Sequence, residues 1–254
     1  MKITLEKEKV YCGNLLLVNA QYPVRCMENG DFIAIKPNFP HILLQSEAAS
    51  ALQLLLSNIM AGNAIVPVSG YRSIKEQTAI YQNSLRDNGE AFTKQFVATP
   101  GHSEHETGLA IDLGLNQKNI DFIRPYFPYK GICGDFRKSA PHFGFVERYP
   151  KGKEALTKIA YEPWHFRYVG YPHSKIMTEH RLTLEEYIHF IKIYRESNRF
   201  LYPSKKNTAI EVYYVPVFTE KTTILIPEQF AYQISGNNID GFIVTIRRKP
   251  NEQV

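Results

Sequence analysis

The sequence predicts an α+β fold, and three observations carry that prediction. A helical hydrophobic repeat opens at Ser46, a short apolar strand runs directly into a second capped helix after Ala64, and the signals beyond Pro203 are those of strands alone. No internal repeat or low-complexity tract interrupts the pattern.

The first helix is justified by Ala48, Ala51, Leu52, Leu55, Leu56 and Ile59 at helical spacing, with Gly62 just past the end as a stop. The stretch A-I-V-P-V-S-G-Y-R-S then reads as a strand turning at Gly70. Ser73 caps a helix through Gln77, Ile80 and Tyr81, which places Arg72 at the strand-to-helix corner. Thr183 with Glu186 three residues later forms a capping pattern that opens T-L-E-E-Y-I-H-F-I-K-I-Y as another amphipathic helix. After Pro203 come I-E-V-Y-Y-V, T-T-I-L-I-P, F-A-Y-Q-I and, beyond the turn-rich S-G-N-N-I-D-G, F-I-V-T-I. The division expected is a main domain over 1–203 and a small β-rich C-terminal extension over 204–254.

A chain of 254 residues, 44% hydrophobic, suffices for one sizeable core with a smaller appendage. The net charge of +5 is dispersed along the chain with no basic block, which argues against nucleic acid as a partner. No apolar run approaches the ~18 residues of a membrane span, and acidic residues stand where a signal peptide has its apolar region, so a cytoplasmic location without a membrane anchor is the expectation. Cys12, Cys26 and Cys133 are odd in number with no C-x-x-C pairing, and read as reduced structural thiols.

The chemistry concentrates in two segments. S-E-H-E-T-G-L-A-I-D places His105 and Asp112 seven positions apart in a stretch otherwise suited to burial, where neither belongs without a partner. In a regular strand residues seven apart face opposite sides, whereas a turn near Gly108 lets them converge. I-A-Y-E-P-W-H-F-R-Y-V-G supplies Glu162 and His165 beside Trp164, the only tryptophan. A catalytic zinc takes three His, Asp or Glu ligands and keeps one position open, and hydrolysis there needs a base nearby. Plainer readings stand beside this one. A histidine is more often a satisfied core or surface residue than a ligand, and Glu162 before a proline suits a solvated position.

The string S-E-H-E-T-G-L-A-I-D fits S-x-H-x-x-G-x-A-x-D and E-P-W-H fits E-x-x-H, the patterns of the zinc D,D-peptidases related to VanY and VanX. S-G-Y-R-S with Glu76 and Gln77, F-G-F-V-E-R-Y-P, and E-P-W-H-F-R-Y-V-G resemble the VanY side of that family in the same order. The likeness runs from about Leu15 to Tyr171 and is most similar to the bifunctional VanXY-type enzymes. It implies an α+β domain with a small antiparallel sheet holding a catalytic zinc between helices. It also implies Zn²⁺ on His105, Asp112 and His165, with Glu162 as catalytic base and Arg72 facing the substrate to stabilise the developing oxyanion. Ser103 and Gln77 match positions near the substrate's terminal carboxylate. The activity implied is hydrolysis of D-alanyl-D-alanine, as the free dipeptide and at the end of D-Ala-terminated muropeptide precursors, which confers glycopeptide (vancomycin-type) resistance. Two alternatives remain at this point: an L,D-endopeptidase of mature wall peptides, and a non-catalytic wall-peptide binding module.

Overall fold

The computed structural model describes residues 1–25, 30–203 and 209–248. The first part of the chain runs through β1 (Lys2–Glu6), β2 (Phe32–Ala34), β3 (Leu43–Gln45), α1 (Ser46–Asn58), β4 (Ile65–Ser69), α2 (Ile74–Phe96) and β5 (Ala110–Leu115). Then follow α3 (Gly131–Ser139), β6 (Phe145–Tyr149), α4 (Glu154–Thr157), β7 (Glu162–Tyr168), α5 (His173–His180) and α6 (Leu184–Ile191). The chain ends with β8 (Phe200–Pro203), β9 (Ala209–Pro216), β10 (Lys221–Leu225), β11 (Ala231–Gly236) and β12 (Gly241–Arg247). Every ladder between these strands is antiparallel, and helices accompany small antiparallel sheets, which is the α+β class expected. Among the described residues no helix is long and apolar enough to cross a membrane.

Two compact units make up the chain, Val18–Thr183 and the pair Met1–Leu17 with Leu184–Val254. This differs from the expected boundary at 203/204, which would cut the β8–β9 ladder between its paired residues Pro203 and Ala209. The N-terminus joins the second unit because β1 pairs with β10 from Lys2↔Leu225 to Glu6↔Lys221, a long-range pairing that leaves no trace in local periodicity.

In the Val18–Thr183 unit the sheet has strand order β4-β5-β7-β6, with β2 and β3 as a separate hairpin. Its core joins Ala48, Leu52 and Leu55 of α1 to Ile111 and Leu113 of β5 and to Phe127, Phe136 and Phe166. These three rings meet edge to face with centroids 4.8 to 5.5 Å apart, the arrangement that aromatic quadrupoles favour. Helix α1 starts at Ser46 as the sequence predicts but ends at Asn58, and Met60 already adopts a left-handed φ of 51° ahead of Gly62. The capping box at α2 forms: Glu76 N–H donates to Ser73 Oγ at 3.2 Å, and Ser73 N–H donates to Glu76 Oε2 at 2.7 Å. Gly89, at φ 80°, kinks that helix midway.

The other unit holds a four-stranded sheet of order β11-β12-β9-β8, the β1–β10 ribbon and α6, around Val10, Tyr213, Ile224, Phe242, Val244 and Ile246. All four strands expected after Pro203 are present as β9 to β12. Neither Cys12 nor Cys133 is in a disulfide, and Cys26 lies outside the described residues.

Candidate metal centre and its cleft

Two backbone irregularities in the β4-β5-β7-β6 sheet bring the predicted residues together. The first answers how His105 and Asp112 meet. His105 lies in a buried 3-10 turn, Glu104–Thr107, closed by Gly108 in the left-handed region at φ 68°, after which β5 runs on to Asp112. In the sheet Asp112 pairs with His165 of β7 on one side and with Ser69 of β4 on the other. Directly opposed residues share a face, so Asp112 stands between a histidine and the serine at the start of the G-Y-R corner.

The second irregularity concerns Glu162 and His165. Three positions apart in a regular strand they would face opposite sides. Here Glu147 of β6 pairs with Phe166 while Tyr149 pairs with Glu162, so two steps on β6 span four on β7. The extra residues, with Pro163 among them, bulge out of the ladder and re-aim Glu162, whose Oε2 comes to 3.8 Å from His165 Nδ1.

Asp112 is the hub. Its Oδ1 lies 2.9 Å from His165 Nδ1, and its Oδ2 lies 3.1 Å from His105 Nε2 and accepts from Arg72 Nη2 at 3.1 Å. One donor atom from each of His105, Asp112 and His165 lies within 4.8 Å of the others, and all three residues are buried. Tetrahedral ligands bound at ~2.0–2.1 Å stand about 3.3 Å apart, so this set is shaped for a single small cation. Gly70 O, 2.7 Å from His105 Nδ1, accepts a hydrogen bond from the proton on that nitrogen, which leaves Nε2 as the ligand atom. His165 turns Nδ1 toward this set, while its Nε2, like Glu104 Oε2, is buried without a hydrogen-bond partner among the described residues.

Arg72 is held by three bonds: Nη2 to Asp112, Nε to Ser69 Oγ at 2.8 Å and Nη1 to Gln77 Oε1 at 3.3 Å. A guanidinium has five N–H donors, so two remain for the cleft. Gln77 is fully buried and commits one amide proton to Ala98 O at 2.8 Å. The structure thus gives it a role in bracing Arg72 that the sequence reading did not include. Arg72, Gln77, Ser103, His105, Asp112, Glu162, Trp164 and His165 all line one cleft, which Phe122 and Ile123 flank. Asp121 and Asp135 of the segment between Asn116 and Pro141 are absent from its lining. Asp121 instead accepts from the N–H groups of Ile123 and Arg124 in a local turn.

Electrostatics in the cleft pull the carboxyls apart. Burial works to raise Asp112, but the charges and hydrogen bonds of His105 and His165 outweigh it and hold the group well below the usual carboxylate range. Glu162 moves the other way: burial, reinforced by Asp112 and Glu104, overcomes His165 and Arg72 and pushes it up to about 8. The two imidazoles also diverge. Burial and Arg72 lower His105, while Asp112 and Glu104 outweigh burial at His165 and lift it to about 9.

Sequence reasoning missed Glu104, Arg148 and Arg167. Glu104 Oε1 accepts from Arg148 Nε at 2.8 Å and from Arg167 Nη1 at 2.7 Å, and the three side chains are at most 1% exposed. The available signal was slight: Arg167 stands between Phe166 and Tyr168, and Arg148 directly precedes Tyr149.

Two imidazoles and a carboxylate at the meeting of two strands, with a second buried carboxyl and an anchored guanidinium alongside, define a metallopeptidase site. Residues 41–171 match the VanY family, D-alanyl-D-alanine carboxypeptidase. The bifunctional D-Ala-D-Ala dipeptidase and carboxypeptidase VanXYC of Enterococcus gallinarum is 42% identical over 177 residues, 69% of this chain and 93% of that protein. The crystal structure of the vancomycin resistance D,D-dipeptidase VanXYg with a D-Ala-D-Ala phosphinate analogue superposes with a TM-score of 0.96 at 60% identity, covering 98% of this chain and 99% of that one. A mutant VanY D,D-pentapeptidase bound to Zn(II) matches at a TM-score of 0.56 and 26% identity, over 69% of this chain and 98% of its own. The chain belongs to the VanY D-alanyl-D-alanine carboxypeptidase family.

Proposed function

We propose that this chain is a zinc-dependent D,D-peptidase that cleaves D-alanyl-D-alanine both as the free dipeptide and at the end of cytoplasmic D-Ala-terminated peptidoglycan precursors, and so contributes to vancomycin resistance. The observation that carries this reading is the convergence of His105, Asp112 and His165 in one cleft with Glu162. Zn(II) in a VanY relative and a D-Ala-D-Ala analogue in VanXYg support the choice of metal and substrate.

His105 Nε2, an Asp112 oxygen and His165 Nδ1 would hold the zinc. Bound there, the ion supplies Lewis acidity and lowers the pKa of the attacking water. Glu162 accepts that water's proton and passes it to the departing amide nitrogen. The two uncommitted N–H groups of Arg72 meet the charge that grows on the carbonyl oxygen. The bonds to Ser69, Gln77 and Asp112 fix the guanidinium beforehand, so little reorganisation remains during the reaction. Ser103 Oγ and the remaining amide proton of Gln77 are the neutral donors for the substrate's terminal carboxylate, and Trp164 walls the pocket.

The purified protein is expected to carry about one zinc per chain and to lose hydrolysis on chelation, with recovery on adding zinc back. Elemental analysis and D-alanine release from the dipeptide and from a pentapeptide precursor check this. Undiminished hydrolysis in zinc-free protein would remove the metal from the reading, and inactivity toward one of the two substrates would reduce it to a single-function enzyme.

Gly108 is expected to be intolerant of a side chain. Its φ of 68° disfavours any L residue, and an added Cβ would overlap the Phe32 ring. Gly108→Ala should cost more than ~1 kcal/mol and weaken zinc binding, since the turn aims His105 at Asp112. Thermal melts with a zinc titration check this, and an Ala variant equal to wild type in both would show that the turn does not aim the ligand.

A further inference from the structure

We propose that Glu104 is a positioning residue of the metal centre, whose buried carboxylate fixes His165 in the tautomer that leaves Nδ1 free to bind the ion. The inference rests on the reading of His105, Asp112 and His165 as the zinc ligands.

A neutral imidazole carries one proton on one of its two nitrogens, and a ligand nitrogen must be the bare one. His165 turns Nδ1 toward Asp112 Oδ1 at 2.9 Å, on the side where the ligand atoms converge. Its proton must then sit on Nε2. That atom is buried, has no hydrogen-bond partner among the described residues, and lies 3.5 Å from Glu104 Oε2, which is equally buried and unpartnered. At 3.5 Å the contact is long for a hydrogen bond. A proton on Nε2 gives each orphaned atom the only complement the other offers.

The rest of the Glu104 environment prepares it for this task. Arg148 from β6 and Arg167 from β7 both donate to Oε1, which pins the carboxylate from one side and leaves Oε2 toward the imidazole. Burying a carboxylate with two guanidiniums is costly unless each is satisfied, so an unspent oxygen aimed at a ligand histidine is a feature to be explained. Arg167 lies two residues after His165 on the same strand, and Glu104 immediately precedes His105, so one 3-10 turn orients both imidazoles. It holds His105 by position in the chain and His165 through the carboxylate. The two histidines therefore use opposite nitrogens, since the proton of His105 sits on Nδ1 facing Gly70 O. Outer carboxylates of this kind commonly tune metal affinity by about 10- to 100-fold.

The test uses the whole chain with ¹⁵N-labelled histidine, loaded with zinc. The His165 proton is expected on Nε2 and slow to exchange with solvent, with Nδ1 shifted by the metal. In Glu104→Gln, zinc affinity measured by competition with a chelator should fall 10- to 100-fold, and the Nε2 proton should exchange faster. A purely structural role would lower the melting temperature and leave affinity and proton exchange unchanged, which would overturn the proposal. Should Glu104→Gln not fold, the wild-type spectrum still decides: a proton on Nδ1, or one on Nε2 that exchanges as fast as a solvent-exposed imidazole, refutes the role of Glu104. Wild-type protein that takes up no zinc would instead refute the ligand assignment on which the proposal stands.

Discussion

Replacing Glu162 by glutamine is expected to lower kcat at least ~10²-fold, the lower range for lost acid-base catalysis, while the protein keeps its zinc. The expectation follows from placement. Glu162 is the first residue of β7, and the bulge after it turns its carboxyl into the cleft beside His165 without making it one of the three converging ligands. Its nearest approach to His165 Nδ1 is 3.8 Å, against 2.9 Å for Asp112, so the carboxyl borders the converging ligands without joining them. Glutamine keeps the volume and removes the proton acceptor. KM should change little, because Ser103 and Gln77, the groups proposed to hold the substrate's terminal carboxylate, are untouched. The melting temperature should not fall either, since glutamine fills the same space and brings no charge into the buried site. Steady-state kinetics on zinc-replete protein with measured metal content checks all three points. Near-normal turnover in that protein would mean that another group takes the proton.

The parts of this site that the sequence shows are residue types, and the parts it hides are the irregularities that aim them. His105 and Asp112 stand out because a histidine and an aspartate do not belong in an apolar stretch, and Gly108 marks where the chain must turn to join them. The capping box at Ser73 and Glu76 places Arg72 correctly because a cap is a local signal. By contrast, nothing in E-P-W-H shows that the strand bulges across Pro163; regular alternation would put Glu162 and His165 on opposite faces. Arg148 and Arg167 were missed for a related reason: a charged residue in a strand ordinarily faces water, and only the sheet order reveals that these two point inward at Glu104. The unit boundary failed on range. The pairing of Lys2–Glu6 with Lys221–Leu225 joins segments more than two hundred residues apart, and no window of sequence contains both.

Asp112→Asn is the substitution expected to do most damage, because one side chain serves two purposes. As the proposed ligand it contributes the only negative charge among the three donors, so its loss should take zinc binding to the limit of detection and hydrolysis with it. As a structural anion it also neutralises Arg72, bonded at 3.1 Å with side-chain exposures of 14% and 7%. Removing one partner of a buried pair leaves the other charge uncompensated, at a cost of about 3–5 kcal/mol. Asparagine keeps a hydrogen-bond acceptor for the guanidinium, which puts the expected cost at the lower end, a fall in melting temperature of about 10 °C for a unit of this size. The two effects separate by chelation. In zinc-free protein the difference between wild type and Asp112→Asn reports the ion pair alone, and adding zinc should stabilise only the wild type, since a ligand that binds the folded state raises its stability by mass action. Equal melting temperatures in chelator would show that Arg72 is balanced by another group, such as Glu162, whose carboxyl also acts on it in the cleft. A zinc-dependent rise in the variant would show that the two histidines suffice to hold the ion.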